Sequence, residues 1–499
     1  MFELLLAGLK IALTPRMFFL LILGVSGGIA IGALPGLTAT MGVAILLPLT
    51  FGMEATAALV MLVGIYIGAI YGGSISAILL KTPGTPAAAA TVFDGHTMAQ
   101  KGEAAKALSM ATIASFVGGL VSTILLITIS PILANFALRF SAPEYFALAV
   151  FGLSIIASIS GDNPIKGLLS GMFGLFICTV GMDPVTSFPR FTFGKIELLN
   201  GFSVIPILIG LFAVSEALVQ MESIFEKDIT IQKFKSGIVS IKEIIRVLPV
   251  MLKSAVMGTF IGAIPGAGAD IAAFVSYNEA RRSSKNPEKF GTGILEGIAA
   301  PEAGNNGVTG GALVPLLTLG VPGDAVTSIL LGALIIQGLQ PGPMLFTENA
   351  DIVYGLFSSM LVGNIIMLIL GLTGIRLFSK VVEIPKKIII PVILSLSIVG
   401  SFSINNSIFD VYVMLLFGII GYFMQKAQMP TSPIILAVIL GPMAESNLRK
   451  SLLLYQGSIK FLYTRPITAI FLLLSIFSIV SSYMKVENNK QKLKQEHSN

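Results

Sequence analysis

The chain has 499 residues, of which 54% are hydrophobic and 12% are charged, and its mean hydropathy is +0.89. Soluble domains usually carry about 25% charged residues, so this composition excludes an ordinary soluble domain and indicates an integral membrane protein. The net charge of +6 does not indicate a nucleic-acid partner. The lysines and arginines cluster in short polar segments, where they act as signals of membrane topology.

Several kinds of chemistry are excluded by the sequence. Cys178 is the single cysteine, so the chain cannot form an intramolecular disulfide or a cysteine metal cage. His96 and His497 lie far apart in the sequence, and no phosphate-binding loop or Gly-x-Ser-x-Gly motif occurs. We therefore expect no ATP hydrolysis by this chain, no enzymatic activity, and no resident cofactor or metal.

Apolar segments follow one another from the N-terminus. Residues 1–14 are expected to form an interfacial or first membrane helix rather than a removable signal peptide. The polar stretch 93–106 is predicted to be an exposed loop, and residues 161–164 (Gly-Asp-Asn-Pro) a turn. A span needs roughly 20 residues, which predicts on the order of ten to fourteen membrane elements. Those of the first half occupy residues 17–36, 37–51, 56–80, 107–133, 145–160, 167–180 and 202–218.

A basic connector separates two halves of similar length. Its charged residues include Lys227, Lys233, Lys235, Lys242, Arg246 and Lys253. The pattern predicts five regions. They are a first membrane repeat at 1–221, a basic cytoplasmic connector at 222–253, a second repeat at 254–465, an additional C-terminal membrane helix at 466–484, and a polar cytoplasmic tail at 485–499.

The second half repeats the motif order of the first half. Gly-Ala-Leu-Pro-Gly at 32–36 returns as Gly-Ala-Ile-Pro-Gly at 262–266. A Gly-Gly pair followed by a second Pro-Gly, at 72–84, returns at 310–323. Because several matches keep one register, we predict an internal duplication. Further matches are Pro143 with Pro385, Asn163 with Asn405, and residues 206–216 with 433–445.

The charges of matched loops indicate that the two repeats are inverted. Short cytoplasmic loops carry an excess of lysine and arginine. Loop 93–106 has two lysines and its counterpart 340–351 has none, whereas segment 281–289 has four basic residues and its counterpart 51–56 has none. The predicted fold is an all-α polytopic membrane protein with two homologous halves arranged as inverted repeats. Four basic residues fit the alternation less well: Arg190, Lys195, Arg449 and Lys450.

Each half contains two predicted breaks in a membrane helix. Proline removes a backbone donor, and an unpaired backbone group in hydrocarbon costs about several kcal/mol. Broken helices therefore occur at membrane depth where they are buried in protein or line a wet cavity. A helix that starts after such a break points free amides at it, which suits an anion, although a re-entrant loop that only packs has the same sequence. The breaks are predicted at Pro35, Pro83, Pro265 and Pro322.

Polar residues beside the second-half breaks are candidates for ion coupling. Asp270 precedes an apolar run, where an ionisable group is a functional candidate, and its alternative role is a helix cap. Glu302, Asn305 and Asn306 offer groups that suit a hard cation or a carboxylate ligand, although a solvent-exposed turn uses the same residues. Asp270 corresponds to Thr40, and Asp324 to Thr85. The second half thus carries the acidic groups.

Long motifs in both halves resemble those of the large membrane subunit of the tripartite tricarboxylate transporters. The resemblance covers nearly the whole chain except the tail. Lys81 departs from the family pattern, which favours asparagine at that position. The motifs lie at residues 32–42, 46–53, 71–86, 93–95, 290–293, 296–306 and 317–324.

The resemblance implies a secondary transporter, driven by an ion gradient, that imports tricarboxylates such as citrate or related organic acid anions. It also implies a small membrane subunit and an extracytoplasmic solute-binding protein as partners, in the inner membrane of a bacterium. We expect alternating access, in which one domain carrying both pairs of breaks moves against a scaffold formed by the later helices of each half. The rivals are carriage of other organic acids, an ion channel and, from another class, a polytopic membrane enzyme.

The predicted site residues fall into two groups. The predicted substrate-binding residues are Gly36, Thr38, Thr40, Thr82, Gly84, Thr85, Gly266, Gly268, Asn305 and Gly323. The predicted ion-coupling residues, with Na⁺ or H⁺ as the coupling cation, are Asp270, Glu302, Asn305, Asn306 and Asp324.

Overall fold

The computed structural model describes residues 2–154, 156, 164–183, 186–222, 237–381 and 384–480. Three sequence predictions lie wholly or partly outside these ranges: the turn around Asn163, residues 223–236 of the basic connector, and the C-terminal tail. In the described part of the chain, helices dominate and strands are confined to one short antiparallel pair. The prediction of an all-α polytopic membrane protein is confirmed.

The described part of the first half forms nine α-helices and the strand pair. Helix α9 contains a π-helical segment at Ile209–Val214. The elements are α1 (Phe2–Ala12), α2 (Pro15–Ala33), α3 (Ala39–Leu46), α4 (Ala55–Leu80), α5 (Val92–Gln100), α6 (Ala104–Ala137), α7 (Ala142–Ser154), α8 (Pro164–Ile177), β1 (Gly181–Met182), β2 (Pro189–Arg190) and α9 (Val204–Glu222).

The described part of the second half is also helical. Its elements are α10 (Ile241–Gly262), α11 (Gly268–Ser283), α12 (Leu295–Gly311), α13 (Leu313–Leu319), α14 (Ala325–Ile336), α15 (Leu345–Glu348), α16 (Ala350–Thr373), α17 (Ile375–Val381), α18 (Lys386–Asn405), α19 (Ile408–Lys426), α20 (Ser432–Leu454), α21 (Phe461–Thr464) and α22 (Pro466–Val480).

Eight helices in the described ranges are long and apolar enough to cross a membrane. They are α2, α4, α6, α9, α10, α16, α18 and α19, with α18 counted from Lys387. Shorter apolar helices lie at Ala39–Thr50, Ile165–Ile177, Ala325–Ile336 and Pro466–Val480. The chain is therefore a multi-pass membrane protein.

All four predicted helix breaks are present. Helix α2 ends two residues before Pro35, and α4 ends three residues before Pro83. Helix α10 ends three residues before Pro265, and α13 three residues before Pro322. A new α-helix begins within four residues of Pro35, Pro265 and Pro322, whereas Pro83 is followed by a 3-10 turn at Pro86–Ala88 and then by α5 at Val92.

The helices gather into two compact units. Unit 1 consists of Met1–Asn135 and Glu216–Asn406, and unit 2 of Phe136–Ser215 and Ser407–Asn499. Each unit contains one segment from each sequence half, and all four helix breaks lie in unit 1. The boundaries of the two repeats, and their inversion, stay predictions.

The prediction of an exposed loop at 93–106 is wrong. Residues 92–100 form helix α5, and Asp94 is completely buried. Its carboxylate accepts hydrogen bonds from the Tyr277 hydroxyl at 2.9 Å and from the backbone amides of Gly293 and Ile294 at 2.8 and 2.9 Å. The amide of Gly291 donates to the same carboxylate. A residue that looks like a loop charge in the sequence thus fixes the segment that leads into α12.

Small residues allow two helix pairs of unit 1 to pack backbone to backbone. Gly28 of α2 lies against the Ile65 carbonyl of α4, and Gly68 of α4 lies against the Val25 carbonyl of α2. In the second half, Gly258 of α10 lies against a carbonyl of α12 in the same way. Close approach at small residues is the usual way in which membrane helices associate, because lipid supplies no hydrophobic driving force between them.

Two adjacent glycines of α2 provide a direct test of this packing. A Cβ at Gly28 would collide with the Ile65 carbonyl, whereas a Cβ at Gly27 would meet nothing closer than 3.9 Å. We expect Gly28→Ala to destabilise the protein by about 1–3 kcal/mol through overpacking. Gly27→Ala should be neutral or slightly stabilising, because alanine is the better helix former. Thermal unfolding in detergent measures both, and equal stabilities would contradict the close approach.

Candidate functional site

The first break of the first half ends in a helix cap. Gly36 turns the chain with a φ of 86°, and α3 starts after Thr38. The Thr38 side chain accepts a hydrogen bond from the Met41 amide at 3.1 Å. Thr38 thus satisfies one of the free amides of the new helix. Thr40 is buried on the first turn of α3.

The second break of the first half folds back onto the first break. The Gly84 amide donates to the Gly73 carbonyl of α4 at 3.2 Å, and Gly84 lies against the carbonyl of Gly32 at the end of α2. Thr85 follows and is 2% exposed, with its hydroxyl against Gly73. That hydroxyl has no hydrogen-bond partner in the described part of the chain. Thr82, two residues before Gly84, is exposed.

The second half makes the matching contact between its own two breaks. Gly323 lies against the carbonyl of Gly262 at the end of α10, as Gly84 lies against that of Gly32. The Gly266 amide also donates to the Gly323 carbonyl at 2.6 Å. Equivalent residues of the predicted repeat thus make equivalent contacts, which supports the duplication.

Helix α12 carries its polar residues to the first-half break. Glu302 is fully buried and accepts hydrogen bonds from the hydroxyls of Thr91 at 2.5 Å and Ser115 at 3.1 Å. The Asn305 side-chain amide donates to the Ala87 carbonyl at 2.9 Å. The alternative prediction of a solvent-exposed turn at 302–306 is therefore wrong. These residues lie inside a buried helix, and they hold the segment that follows Pro83.

The Asn306 side chain makes hydrogen bonds through its amide nitrogen but, in the described ranges, none through its oxygen. Its amide nitrogen donates to the Asn305 side-chain oxygen at 2.7 Å and to the Glu302 carbonyl at 3.1 Å. Its side-chain oxygen is buried and has no partner in the described ranges. The Ser276 hydroxyl, which lies against Gly304 of α12, is also buried and unpartnered there. Buried polar atoms without partners are rare in proteins, so such atoms are candidates for contact with a ligand or water.

Asp324 differs, because its oxygens are already occupied. It caps α14, accepting from the Thr327 amide and hydroxyl, both at 2.7 Å. Its other oxygen accepts from the Tyr66 hydroxyl of α4 at 2.5 Å. The contacts between the halves are therefore reciprocal. Helix α12 of the second half contacts the first-half break, and α4 of the first half contacts the second-half break through Asp324.

Asp270 is the third residue of α11 and lies within electrostatic reach of Asp324. The residue is exposed, and its carboxylate interacts with the backbone amides of Asp270 and Ile271. The N-cap position of this helix is Ala267, so Asp270 faces free amides of the first turn without being the N-cap residue. The φ angles of Gly266 and Gly268, 79° and 71°, turn the chain into this helix.

Sequence reasoning missed the partners of these side chains. Thr91, Ser115 and Tyr66 lie within or beside apolar stretches, and nothing in the local sequence separates them from other buried hydroxyls. Across the described residues, no three His, Cys, Asp or Glu side chains gather as a metal site. The Glu302 carboxylate accepts hydrogen bonds from the hydroxyls of Thr91 and Ser115.

Comparison with known proteins decides the family. The tripartite tricarboxylate transporter TctA family matches residues 18–436. The chain belongs to this family. TctA proteins are transporter subunits, so the expectation that the chain is a membrane transport protein is confirmed.

Two relatives occur in Agrobacterium vitis. An uncharacterized 52.8 kDa protein in the TAR-I ttuC' 3' region is 37% identical over 484 residues, which cover 97% of this chain and 96% of the relative. An uncharacterized protein in the TAR-II ttuC' 3' region is 36% identical over 234 residues, which cover 47% of this chain and 97% of the relative. No solved structure matches the chain.

Removing a single oxygen atom tests the hydrogen bond between Tyr66 and Asp324. Tyr66→Phe removes a hydroxyl that donates to a buried carboxylate, and hydrogen bonds to charged groups contribute about 1.5–3 kcal/mol. Tyr71→Phe is the matched control, because Tyr71 is equally buried in α4 but bonds the neutral Thr112 hydroxyl at 2.9 Å. We expect the larger loss of thermal stability for Tyr66→Phe. A larger loss for Tyr71→Phe would show that the contact with Asp324 does not stabilise the fold.

Proposed function

We propose that this chain is the large membrane subunit of a tripartite, binding-protein-dependent system that imports organic acid anions on a cation gradient. The observation that carries the proposal is the pairing of helix breaks in unit 1, beside buried polar atoms that find no partner among the described residues. Paired breaks line the substrate sites of many secondary transporters, because they expose backbone groups at membrane depth. The membership of the TctA family supports the same class of function.

In the proposal, the substrate lies at the first-half break. Thr85 and Asn306, whose oxygens have no partner in the described ranges, are sequence neighbours of the contact between Asn305 and Ala87. The Thr85 hydroxyl is free to donate to a substrate carboxylate, and the Asn306 oxygen to accept from a substrate hydroxyl or to bind a cation. The amides of Gly84 and Gly266 donate within the protein, so these glycines serve by close approach of the backbone. The other proposed contacts are Gly36, Thr38, Thr40, Thr82, Gly268 and Gly323.

Glu302 is the coupling group in this proposal. An ionisable side chain at membrane depth marks an ion or proton pathway by default. Glu302 is completely buried, and its two hydroxyl partners can orient around either a proton or a sodium ion. Asp324 is assigned the supporting role of a cap, because its oxygens already have partners. Asp270, at the start of α11 and within electrostatic reach of Asp324, is proposed as a second group that attracts the cation.

The partners follow from the family. We propose a small membrane subunit and an extracytoplasmic solute-binding protein, with the complex in the bacterial inner membrane. Tricarboxylates such as citrate are the first substrates to test, and other organic acids follow. Unit 1, which carries every break, is the proposed moving domain.

Uptake of labelled citrate into proteoliposomes that contain both membrane subunits and the solute-binding protein tests the function. We expect saturable uptake that depends on the binding protein and rises with an inward sodium or proton gradient. Non-saturating flux without the binding protein would indicate a channel. Uptake that changes with neither the sodium nor the proton gradient would contradict coupling of transport to a cation.

Replacing Glu302 tests the coupling group. Glu302→Gln keeps the shape and a hydrogen-bonding oxygen but cannot ionise, so we expect gradient-driven uptake to fall by about 100-fold or more, while counterflow exchange persists. Glu103→Gln is the control, because Glu103 is an exposed glutamate immediately before α6. Unchanged driven uptake in Glu302→Gln would remove this residue from the pathway.

Thr85→Val separates binding from folding. Valine has the shape of threonine and removes a hydroxyl that has no partner in the described structure, so stability should stay the same or rise. If that hydroxyl binds substrate, KM should rise by about tenfold. Thr259→Val is the control: that buried hydroxyl donates to the Ala255 carbonyl of its own helix at 2.8 Å, and its loss should leave KM unchanged. Equal KM values for the two variants would move the substrate away from Thr85.

A further inference from the structure

The segment 188–196, which contains strand β2 of unit 2, exposes large apolar side chains. Phe193 and Ile196 are 84% and 80% exposed, and Phe188 and Phe191 are 69% and 51% exposed. Phe191 and Phe193 have φ angles of 50° and 49°, a region that bulky residues rarely adopt. We call these four residues the phenylalanine hairpin. Contiguous apolar surface of this kind marks an interaction site with a protein or a membrane.

A charge cluster fixes the inner side of the hairpin. Arg190 of β2 pairs with Glu445 of α20 at 2.7 Å and with Asp183 at 3.5 Å. Arg449, also on α20, pairs with both carboxylates, at 2.9 Å to Asp183 and 2.7 Å to Glu445. Two arginines that fit poorly as topology signals therefore hold the hairpin on α20. The exposed phenylalanines therefore flank a strand, β2, that ion pairs hold against α20.

The hairpin continues the apolar outer face of α8. Ile165, Leu169, Met172 and Phe176 are all more than half exposed and follow the three-to-four-residue spacing of one helix face. The Phe176 ring, near the end of this face, lies 5.6 Å from the Phe191 ring. In a multi-pass membrane protein such a face is suited to lipid. The hairpin extends it beyond the end of the helix.

The length of α8 explains why such an extension is useful. The helix has 14 residues, which at 1.5 Å per residue span about 21 Å. The hydrocarbon core of a bilayer is about 30 Å thick. Lys195, exposed between Phe193 and Ile196, adds a positive charge next to the rings, and Glu197 follows it. Aromatic and basic residues together are typical of the boundary between acyl chains and lipid headgroups.

We propose that the phenylalanine hairpin inserts into the headgroup–acyl boundary of the bilayer and anchors unit 2 beside the short helix α8. Its partner is the phospholipid surface, with the rings at the depth of the upper acyl chains and Lys195 at the phosphates. This role is independent of the substrate and of the coupling cation.

The sequence contains no tryptophan, so Phe193→Trp gives the full chain a single fluorescent reporter. The variant is reconstituted into phospholipid vesicles whose acyl chains carry bromine either near the headgroup or near the chain end. We expect blue-shifted emission and a loss of about half of the signal with bromine near the headgroup. Deep bromine should quench less, and aqueous iodide should quench little.

Two matched variants calibrate the measurement. Leu169→Trp on the outer face of α8 reports the acyl region, and Lys285→Trp, at an exposed polar position, reports water. Iodide quenching of Phe193→Trp equal to that of Lys285→Trp would overturn the proposal. So would bromine quenching that disappears when the small membrane subunit is added, because the hairpin would then be a subunit interface. Phe188→Trp repeats the measurement at a second position, and only variants that elute as a monodisperse species are compared.

Discussion

The structure of unit 1 depends on a requirement of backbone hydrogen bonding. A helix interrupted inside the apolar core exposes amides and carbonyls that water cannot reach, and each must find a partner. The chain meets this requirement by placing its breaks against each other. The Gly266 amide bonds the Gly323 carbonyl, and Gly84 lies against the carbonyl of Gly32. Only glycine permits these approaches, since any Cβ at positions 84 or 323 would collide with backbone atoms.

The two halves of the sequence complete each other in unit 1. Helix α12 from the second half binds the segment after Pro83 through Glu302 and Asn305, and α4 from the first half binds Asp324 through Tyr66. Neither half can therefore satisfy its own polar groups alone. A displacement of either break would disturb a buried contact of the other half, so the two breaks are coupled by packing. Such reciprocal contacts hold the segments of the two halves together within unit 1.

Charge is used differently in unit 2. Its ion pairs join separate elements at buried carboxylates, as with Glu144, which is 2% exposed and contacts Arg465 at 2.7 Å. The Ser141 amide and hydroxyl donate to the same carboxylate. Breaking a buried pair of this kind leaves an uncompensated charge, which is strongly destabilising. Several charges that look like topology signals in the sequence are therefore structural.

The sequence by itself determined the class of protein, the four helix breaks and the family. Composition excludes a soluble domain, and proline with glycine ends helices by local geometry that no tertiary contact has to supply. The sequence also placed Glu302, Asn305 and Asn306 among the candidates, because polar groups in apolar surroundings stand out.

The tertiary structure decided which of these groups have partners. Asp94 looks like a loop charge but is buried, because its partners lie nearly 200 positions away in sequence and no local pattern predicts them. Asp324 looks like a coupling carboxylate but is occupied by Tyr66 and Thr327, while Thr85, a plain threonine, keeps an open hydroxyl. Hydrogen-bond satisfaction depends on distant segments that meet only in the folded chain. For this reason the candidate site lies at the contact between α12 and the first-half break, and not among the acidic residues beside the second-half breaks.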